Sequence, residues 1–471
     1  MTRFSFKLAI ALTALAPIPA IAQDRFLIDW DAIGDEAINH LVELVKIDSS
    51  NPPGNETEVA RYLERVLDSE GIDSEMYALD PDRANLVARY KGNGSKRPIL
   101  IMGHTDVVGV QADKWTEPPF SGLRKDGYIW GRGTLDDKDN VTAGLLVMLL
   151  LNRLEVEMDR DIIFLAESGE EGTPHVGINF MVAEHWDVIE AEFALAEGGG
   201  MKVLGGQVHT VDIQTTEKMP RRATLIARGT AGHGSRPRID NAVHMIAEAV
   251  ARAGSWNTPI SFNQTTSAYF ERMATISDGE TATRYANVAN PERQADIDAW
   301  FRENDPHHYS SLRTSVVPTI IDAGFRKNVI PSEASAVLDI RMMPGEDVEG
   351  FYQKLAEVID NPAVEIVPEE IYRPAAPPSG IDNEMFEVIE GVATRLYPGS
   401  TTLPVMATGA TDMAQLRAKG TPSYGIGPAR TLEEINSRFG AHSDDERIAE
   451  ESLQEMVRFL WNIIIDIGAT R

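Results

Sequence analysis

The chain of 471 residues contains no cysteine. That excludes a disulfide framework, a thiolate metal site and a lipid-modified cysteine at a processed start. Any metal held here must have nitrogen and oxygen ligands. Positive charge is also scarce, with 44 Lys and Arg against 72 Asp and Glu and a formal net charge of −28. Such a surface repels nucleic acid and anionic lipid, so neither is an expected partner. Long apolar runs are lacking too. The N-terminal run Leu8–Ala16 is too short to cross a bilayer and leads into Pro17 and Pro19. Arg3 and Lys7 precede it and Ala20-Ile21-Ala22 follows it, the pattern of an export signal cleaved after Ala22. The expectation is a periplasmic or secreted protein with no membrane attachment after cleavage.

What remains is globular in composition, 43% hydrophobic and 25% charged, and the length predicts more than one domain. Ile38, Leu41, Leu44 and Val45 recur at helical spacing and predict a helix over 30–47, ended by Asn51-Pro52-Pro53-Gly54. A second helix is predicted over 58–70 and an apolar one over 140–151. PILIM (98–102), DIIFLA (161–166) and FALA (193–196) predict short buried strands, and each runs into a polar motif. Ligands gather outside the carboxyl ends of strands in open α/β sheets, so this placement predicts an α/β catalytic domain. From about Thr215 the texture changes to strands over 222–228, 319–322, 333–341 and 363–367 with a helix over 241–252. That predicts an inserted α+β module over 215–372, the first domain being 23–214 and 373–471 after a signal over 1–22. The polar stretch Ser255–Leu312 has no clear pattern.

Five motifs carry the chemistry: GHTD (103–106), GRGTLDDK (131–138), SGEEG (168–172), LAEGGG (195–200) and FGAHSD (439–444). They supply His104, Asp136, Glu171, Glu197 and His442, a ligand set for two divalent metals that share a carboxylate. Imidazole and carboxylate suit zinc, and catalytic zinc keeps a position open for water. His104 and Asp106 lie two apart at a strand end, so Asp106 can hold the ring nitrogen that the metal does not use. Adjacent Asp136 and Asp137 repel unless a cation neutralises them, and Asp136 is assigned as the bridge. Glu171 is assigned to metal, and Glu170 to general base and acid. His233, in the tight loop Gly232-His233-Gly234-Ser235, lies away from the metal motifs. Its setting alone leaves it between a functional and a structural role.

In this order the motifs resemble the superfamily of di-zinc exopeptidases and deacylases that contains carboxypeptidase G, carboxypeptidase S, succinyl-diaminopimelate desuccinylase, acetylornithine deacetylase and aminoacylase. The resemblance runs from SSNPPGNE (49–56) through EKMPRRATLIARGTAGHGSRP (217–237), FRKNVIPSEASAVLDIRMMPGE (325–346) and TGATD (408–412) to FGAHSDDER (439–447). It implies a mixed-sheet zinc-exopeptidase catalytic domain with an inserted lid and dimerisation domain. One metal would be held by His104, Asp136 and Glu197, the other by Asp136, Glu171 and His442. It places Glu170 as the catalytic glutamate and Asp106 as the partner of the first histidine. His233 matches a lid histidine that reaches a neighbouring subunit's site in dimeric members. Asn328 and Arg341 match residues that hold the substrate's carbonyl and carboxylate region, and Gly409 a glycine lining the pocket.

Two departures stand out: Gly169 where many relatives have aspartate, and Asp139 where glycine is common. The long 255–312 stretch and LAEGGG resemble the carboxypeptidase S-like branch. The implied reaction is hydrolysis of an amide beside a free carboxylate, with two Zn(2+) per subunit or cobalt or manganese in their place. The expected substrate is a short peptide, or an N-acyl amino acid for a deacylase. A homodimer through the inserted domain is part of the same expectation.

Overall fold

The computed structural model describes residues 26–371 and 373–470. The expected export signal lies outside the described residues. Four adjacent parallel strands form the centre of a ten-stranded mixed sheet: Ile162–Glu167, Ile99–His104, Phe193–Glu197 and Ser423–Ile426. Asn85–Tyr90 and Ser74–Tyr77 extend it antiparallel on one side. On the other side lie Gln207–Glu217, Thr401–Ala407, Gly200–Leu204 and Ala429–Thr431. The central strands are buried along nearly their whole length, as expected of parallel strands covered on both faces.

Helix Lys138–Arg153 is buried from Lys138 to Leu151, which explains its nearly unbroken apolar run. It packs with helices Trp30–Val45 and Glu450–Gly468 over one face of the sheet. Helices Ile178–Glu184 and Met413–Ala418 cover the other face through Ile178, Met181, Met413 and Leu416.

A second, antiparallel sheet of five strands has its own core. Ala223–Arg228 lies between Glu333–Met342 and Val364–Pro368, and Ser315–Ala323 adds to the far side of Glu333–Met342. Burial along Glu333–Met342 alternates strictly, the period-2 signature of a half-buried strand. Helices Ala242–Ser255 and Val348–Ile359 bury one face of this sheet.

The stretch left unplaced by sequence forms four helices: Gln264–Ile276, Gly279–Ala286, Gln294–Asn304 and Pro306–Ser311. Each contributes few apolar residues, so no helix shows a strong stripe alone. Together Phe270, Tyr285, Ile297, Phe301 and Leu312 close a small separate core. Helix Gln264–Ile276 docks on the large sheet, where Arg272 pairs with Glu390 and donates to the Thr402 carbonyl at 2.8 Å. Phe301 is fully buried in that core. Phe301→Ala should cost about 3–5 kcal/mol. Amide exchange is expected to rise over 264–311 while strand Ile99–His104 stays protected.

Candidate active site

The carboxyl ends of the central strands converge on one cavity of about 550 Å³. His104 ends strand Ile99–His104 and is fully buried. Its Nε2 lies 2.9 Å from Asp136 Oδ1, and its Nδ1 lies 3.0 Å from the Asp106 carbonyl and 3.4 Å from the Asp106 carboxylate. The other Asp136 oxygen, Oδ2, lies 3.0 Å from His442 Nε2, which is also 2.8 Å from Glu171 Oε1. One carboxylate thus spans two imidazoles. His442 reaches it from a loop in which its own backbone is left-handed, φ +62°.

Asp106 does more than orient His104. It is fully buried, accepts a hydrogen bond from Asn51 Nδ2 at 2.7 Å, and accepts from the backbone N–H groups of Glu170 and Glu171 at 3.1 and 3.0 Å. One carboxylate therefore fixes both the first histidine and the turn that carries the paired glutamates. That turn needs Gly169 at φ +83°, where an added Cβ would lie 2.5 Å from the Thr173 carbonyl. Beyond Glu197, a Cβ on Gly199 would lie 2.1 Å from the Asp212 carbonyl, so the strand crossing there also requires glycine.

Ligand-type atoms of His104, Asp136 and Glu171 lie within 4.8 Å of one another, as do those of His104, Glu170 and Glu197. Glu197 thus falls beside Glu170 as well as His104. Arg341 and Gly409 line the same cavity. His233 and Asn328 do not. Both are exposed, on short strands and a turn where Gly232–His233 pairs with Val329–Ile330, and His233 Nδ1 accepts from the Ser235 N–H at 3.1 Å.

Sequence reasoning missed Arg373. It pairs with Glu170 through Nη2 and with Asp412 through Nη1, the latter at 2.9 Å. Its partner lies 203 residues away and no motif surrounds it, so nothing in the sequence pointed to it. Arg221 and Arg222 also line the cavity, and their quoted motif had signalled family membership without any role for them.

The electrostatics call for cations. Burial pushes Glu170 up to about 8 against the opposing pull of Arg373, and pushes Asp137 up to about 7. Glu197 is raised well above the carboxylate range by burial and by Glu170 beside it. His442 is lifted to about 10 by its hydrogen bonds to Asp136 and Glu171. Crowded buried carboxylates must share protons or be neutralised by bound cations. An all-oxygen-and-nitrogen donor set with one carboxylate between two imidazoles fits a pair of divalent metals.

The same shifts fix the behaviour of metal-free protein. Glu170 at about 8, Asp137 and Glu446 at about 7 and Asp412 at about 6 are all raised, with burial the largest cause. Between pH 5 and 7 these groups hold protons in the folded state that the unfolded chain has released. Their stabilisation is complete below the unfolded values and is lost as pH rises through the folded ones. His40, His307, Lys138 and Lys218, lowered by burial, oppose this, but Glu56, Asp139, Glu167 and Glu197 are raised by burial as well and keep the raised groups in the majority. The thermal midpoint of chelator-treated protein should therefore fall from pH 5 to pH 7, and saturating Zn(2+) should flatten the slope. A rising midpoint would contradict the crowding.

A profile of the peptidase family M20/M25/M40 matches residues 100–466. The chain is 26% identical over 445 residues to the human N-fatty-acyl-amino acid synthase/hydrolase PM20D1, covering 91% of this chain and 86% of that protein. It is 29% identical over 391 residues to a probable carboxypeptidase S-like 2 of Dictyostelium discoideum, covering 81% and 74%. The M20 family metallo-carboxypeptidase Sso-CP2 from Sulfolobus solfataricus shares the fold at a TM-score of 0.69 and 18% identity, covering 91% of this chain and 98% of that one. The motifs, the sheet that presents them and the match over most of the chain agree: this protein belongs to peptidase family M20/M25/M40, a family of metallopeptidases and amidohydrolases.

Proposed function

We propose that the protein is an exported di-zinc exopeptidase that removes C-terminal residues from short peptides, cutting an amide beside a free carboxylate. The observation that carries this is Asp136, whose two oxygens face His104 and His442 at 2.9 and 3.0 Å, with Glu170 buried alongside. His104, Asp136 and Glu197 would hold one metal, and Asp136, Glu171 and His442 the other. Bound divalent cations supply Lewis acidity, polarising a carbonyl and lowering the pKa of water toward about 7.

The chain's own groups do the rest. Arg373 holds Glu170 Oε1, which leaves Oε2 as the oxygen that takes a proton from the attacking water and returns it to the departing amine. Arg341 and the Gly409 backbone, both on the cavity wall, orient the substrate's carboxylate end. His233 and Asn328, exposed on the inserted module, serve the site of a second subunit. Support for that dimer comes from the edge strand Ser315–Ala323, where Val317, Ile320 and Ile321 are each more than half exposed, with Phe325 beyond them 80% exposed.

The second reading is an N-acyl-amino-acid deacylase. It is favoured by the match across 86% of a relative whose name describes N-fatty-acyl-amino acid hydrolysis. Dipeptides and N-acetyl amino acids compared in one assay decide between them, and faster turnover of dipeptides is expected. Glu170→Gln should keep both metals by elemental analysis yet lose roughly 10²–10⁴-fold in kcat. Loss of metal instead would make Glu170 a ligand. When the full chain is expressed with export, intact mass should show a mature protein beginning at Gln23; retention of residues 1–22 would refute the proposed location.

A further inference from the structure

Two stretches of chain join the two sheets: Lys218, between Gln207–Glu217 and Met219–Pro220, and the segment that follows Val364–Pro368. They run close together, since Glu217, Lys218, Arg373 and Pro374 line one small cavity. Relative motion is the default for domains so joined, and hinges of this kind open and close clefts. Here the cleft is the main cavity, with Glu197 on the first domain and Arg341 on the second sheet.

The four helices over 264–311 reach across this hinge. Their entry and exit are both fastened to the second sheet and its helices. At the entry Trp256 stacks on Phe351 of helix Val348–Ile359, ring centres 5.3 Å apart, and Thr258 Oγ1 donates to the Thr314 carbonyl at 2.6 Å. At the exit Arg313, 2% exposed, pairs with Asp298 and donates to the Thr258 carbonyl at 3.1 Å. Thr314 Oγ1 accepts from the Met343 N–H at 2.9 Å, just past strand Glu333–Met342.

The opposite side of the same helices is seated on the first domain. Thr265 and Thr215, both buried from solvent, meet through their hydroxyls at 2.6 Å. Besides its bonds to Glu390 and the Thr402 carbonyl, Arg272 lies 5.7 Å from the Phe386 ring centre. Gln264 Nε2 donates to Asp382 at 3.0 Å. Between these two sets of joints the insert is stiff. Tyr269 of helix Gln264–Ile276 meets His308 Nε2 of helix Pro306–Ser311 at 2.9 Å, and Asp305 holds the other ring nitrogen. Ser310, two residues on, accepts from Lys218 Nζ at 2.9 Å, which ties the insert to the hinge itself.

We propose that this helical insert is a strut: it holds the second sheet at one angle to the first domain and stops it swinging over the cavity. A body fastened on both sides of a hinge removes the rotation that the two linkers alone allow. The width of the cavity is then set by the fold and not by what enters it. His233 and Asn328, which do not line the cavity, are likewise not carried to it by movement within their own chain.

The lack of cysteine makes the test direct. Asp68→Cys on helix Glu56–Ser69 and Gln353→Cys on helix Val348–Ile359, both exposed positions, take spin labels in the full chain. Double electron–electron resonance then reads the distance distribution between the two domains. One narrow distribution is expected, unmoved by saturating Zn(2+). Thr265→Arg forces bulk and charge into a buried joint and should shift and broaden it. Arg272→Glu sets two carboxylates face to face at a second joint and should broaden it less. Adding Glu390→Arg to Arg272→Glu should return the starting width, because the pair is restored with its charges exchanged. Should Thr265→Arg not fold, Arg272→Glu and its rescue decide alone. A broad or two-peaked distribution in the labelled chain without further substitution overturns the proposal. So does a shift on adding Zn(2+), or a distribution that Arg272→Glu leaves unmoved.

Discussion

Asp136 shares its two oxygens between His104 and His442, and these three residues come from parts of the chain 32 and 306 positions apart. Holding them together costs chain entropy and brings negative groups into a buried space. The structure meets this with ties between the loops themselves. Glu446 accepts from the Leu135 N–H at 2.8 Å and pairs with Arg132, whose Nη2 donates to the Ser443 carbonyl at 3.0 Å. The loop carrying Asp136 and the loop carrying His442 are thus one unit, cross-linked just before Asp136 and just after His442. Arg447 adds to it by lying 3.9 Å from the Phe439 and Tyr128 ring centres. An aromatic wall closed by a guanidinium is a stiff support for a histidine that is itself half exposed.

Asp106 plays the corresponding part on the other side of the site. Through Asn51 it reaches the turn after the first helix, and through two backbone N–H groups it holds Glu170 and Glu171. Beside it, Lys138 is wholly buried and donates to the Leu44 and Ile47 carbonyls at 2.9 and 2.8 Å, binding the end of the first helix to the start of the helix after Asp136. Apart from Thr134, which bonds to Gly131 within its own loop, each polar residue of the GHTD and GRGTLDDK motifs therefore has a definite partner on another element. A site assembled in this way is preorganised by its supporting groups as much as by its ligands.

That dependence on supports explains what could be read from sequence and what could not. His104, Glu170, Glu171 and Glu197 were legible because each follows a short apolar run that only a buried strand explains, and strand ends in such sheets are where sites form. Asp136 and His442 lack that cue and were reached by their motifs. Arg373 was invisible: its value lies in a contact with Glu170 across 203 residues, and a single arginine between Tyr372 and Pro374 has no local pattern. The helices over 264–311 were missed for a related reason. Phe270, Tyr285, Ile297 and Phe301 come from three helices and make a core jointly, so no window of sequence shows the amphipathic stripe that would announce them. At glycines 169 and 199 a carbonyl is packed where a Cβ would stand, a close approach that admits no side chain.

The two sheets divide the labour of the cavity. His104, Glu170, Glu171 and Glu197 stand at the ends of the large sheet, whereas Arg341 belongs to the second sheet and Arg221 and Arg222 lie at its near border. Strand Gln207–Glu217 of the first sheet passes into Met219–Pro220 of the second with one residue, the buried Lys218, between them. This crossing is one of two chain connections between the sheets, the other following Val364–Pro368. Its flank is fixed by Glu217, which accepts from Thr411 and Arg417 and so ties the junction to the TGATD loop beside Gly409. The lining is mixed in charge: Glu369 and Glu370 share the cavity with Arg222 and Arg341, and Arg373 pairs with Glu170 on the acidic side.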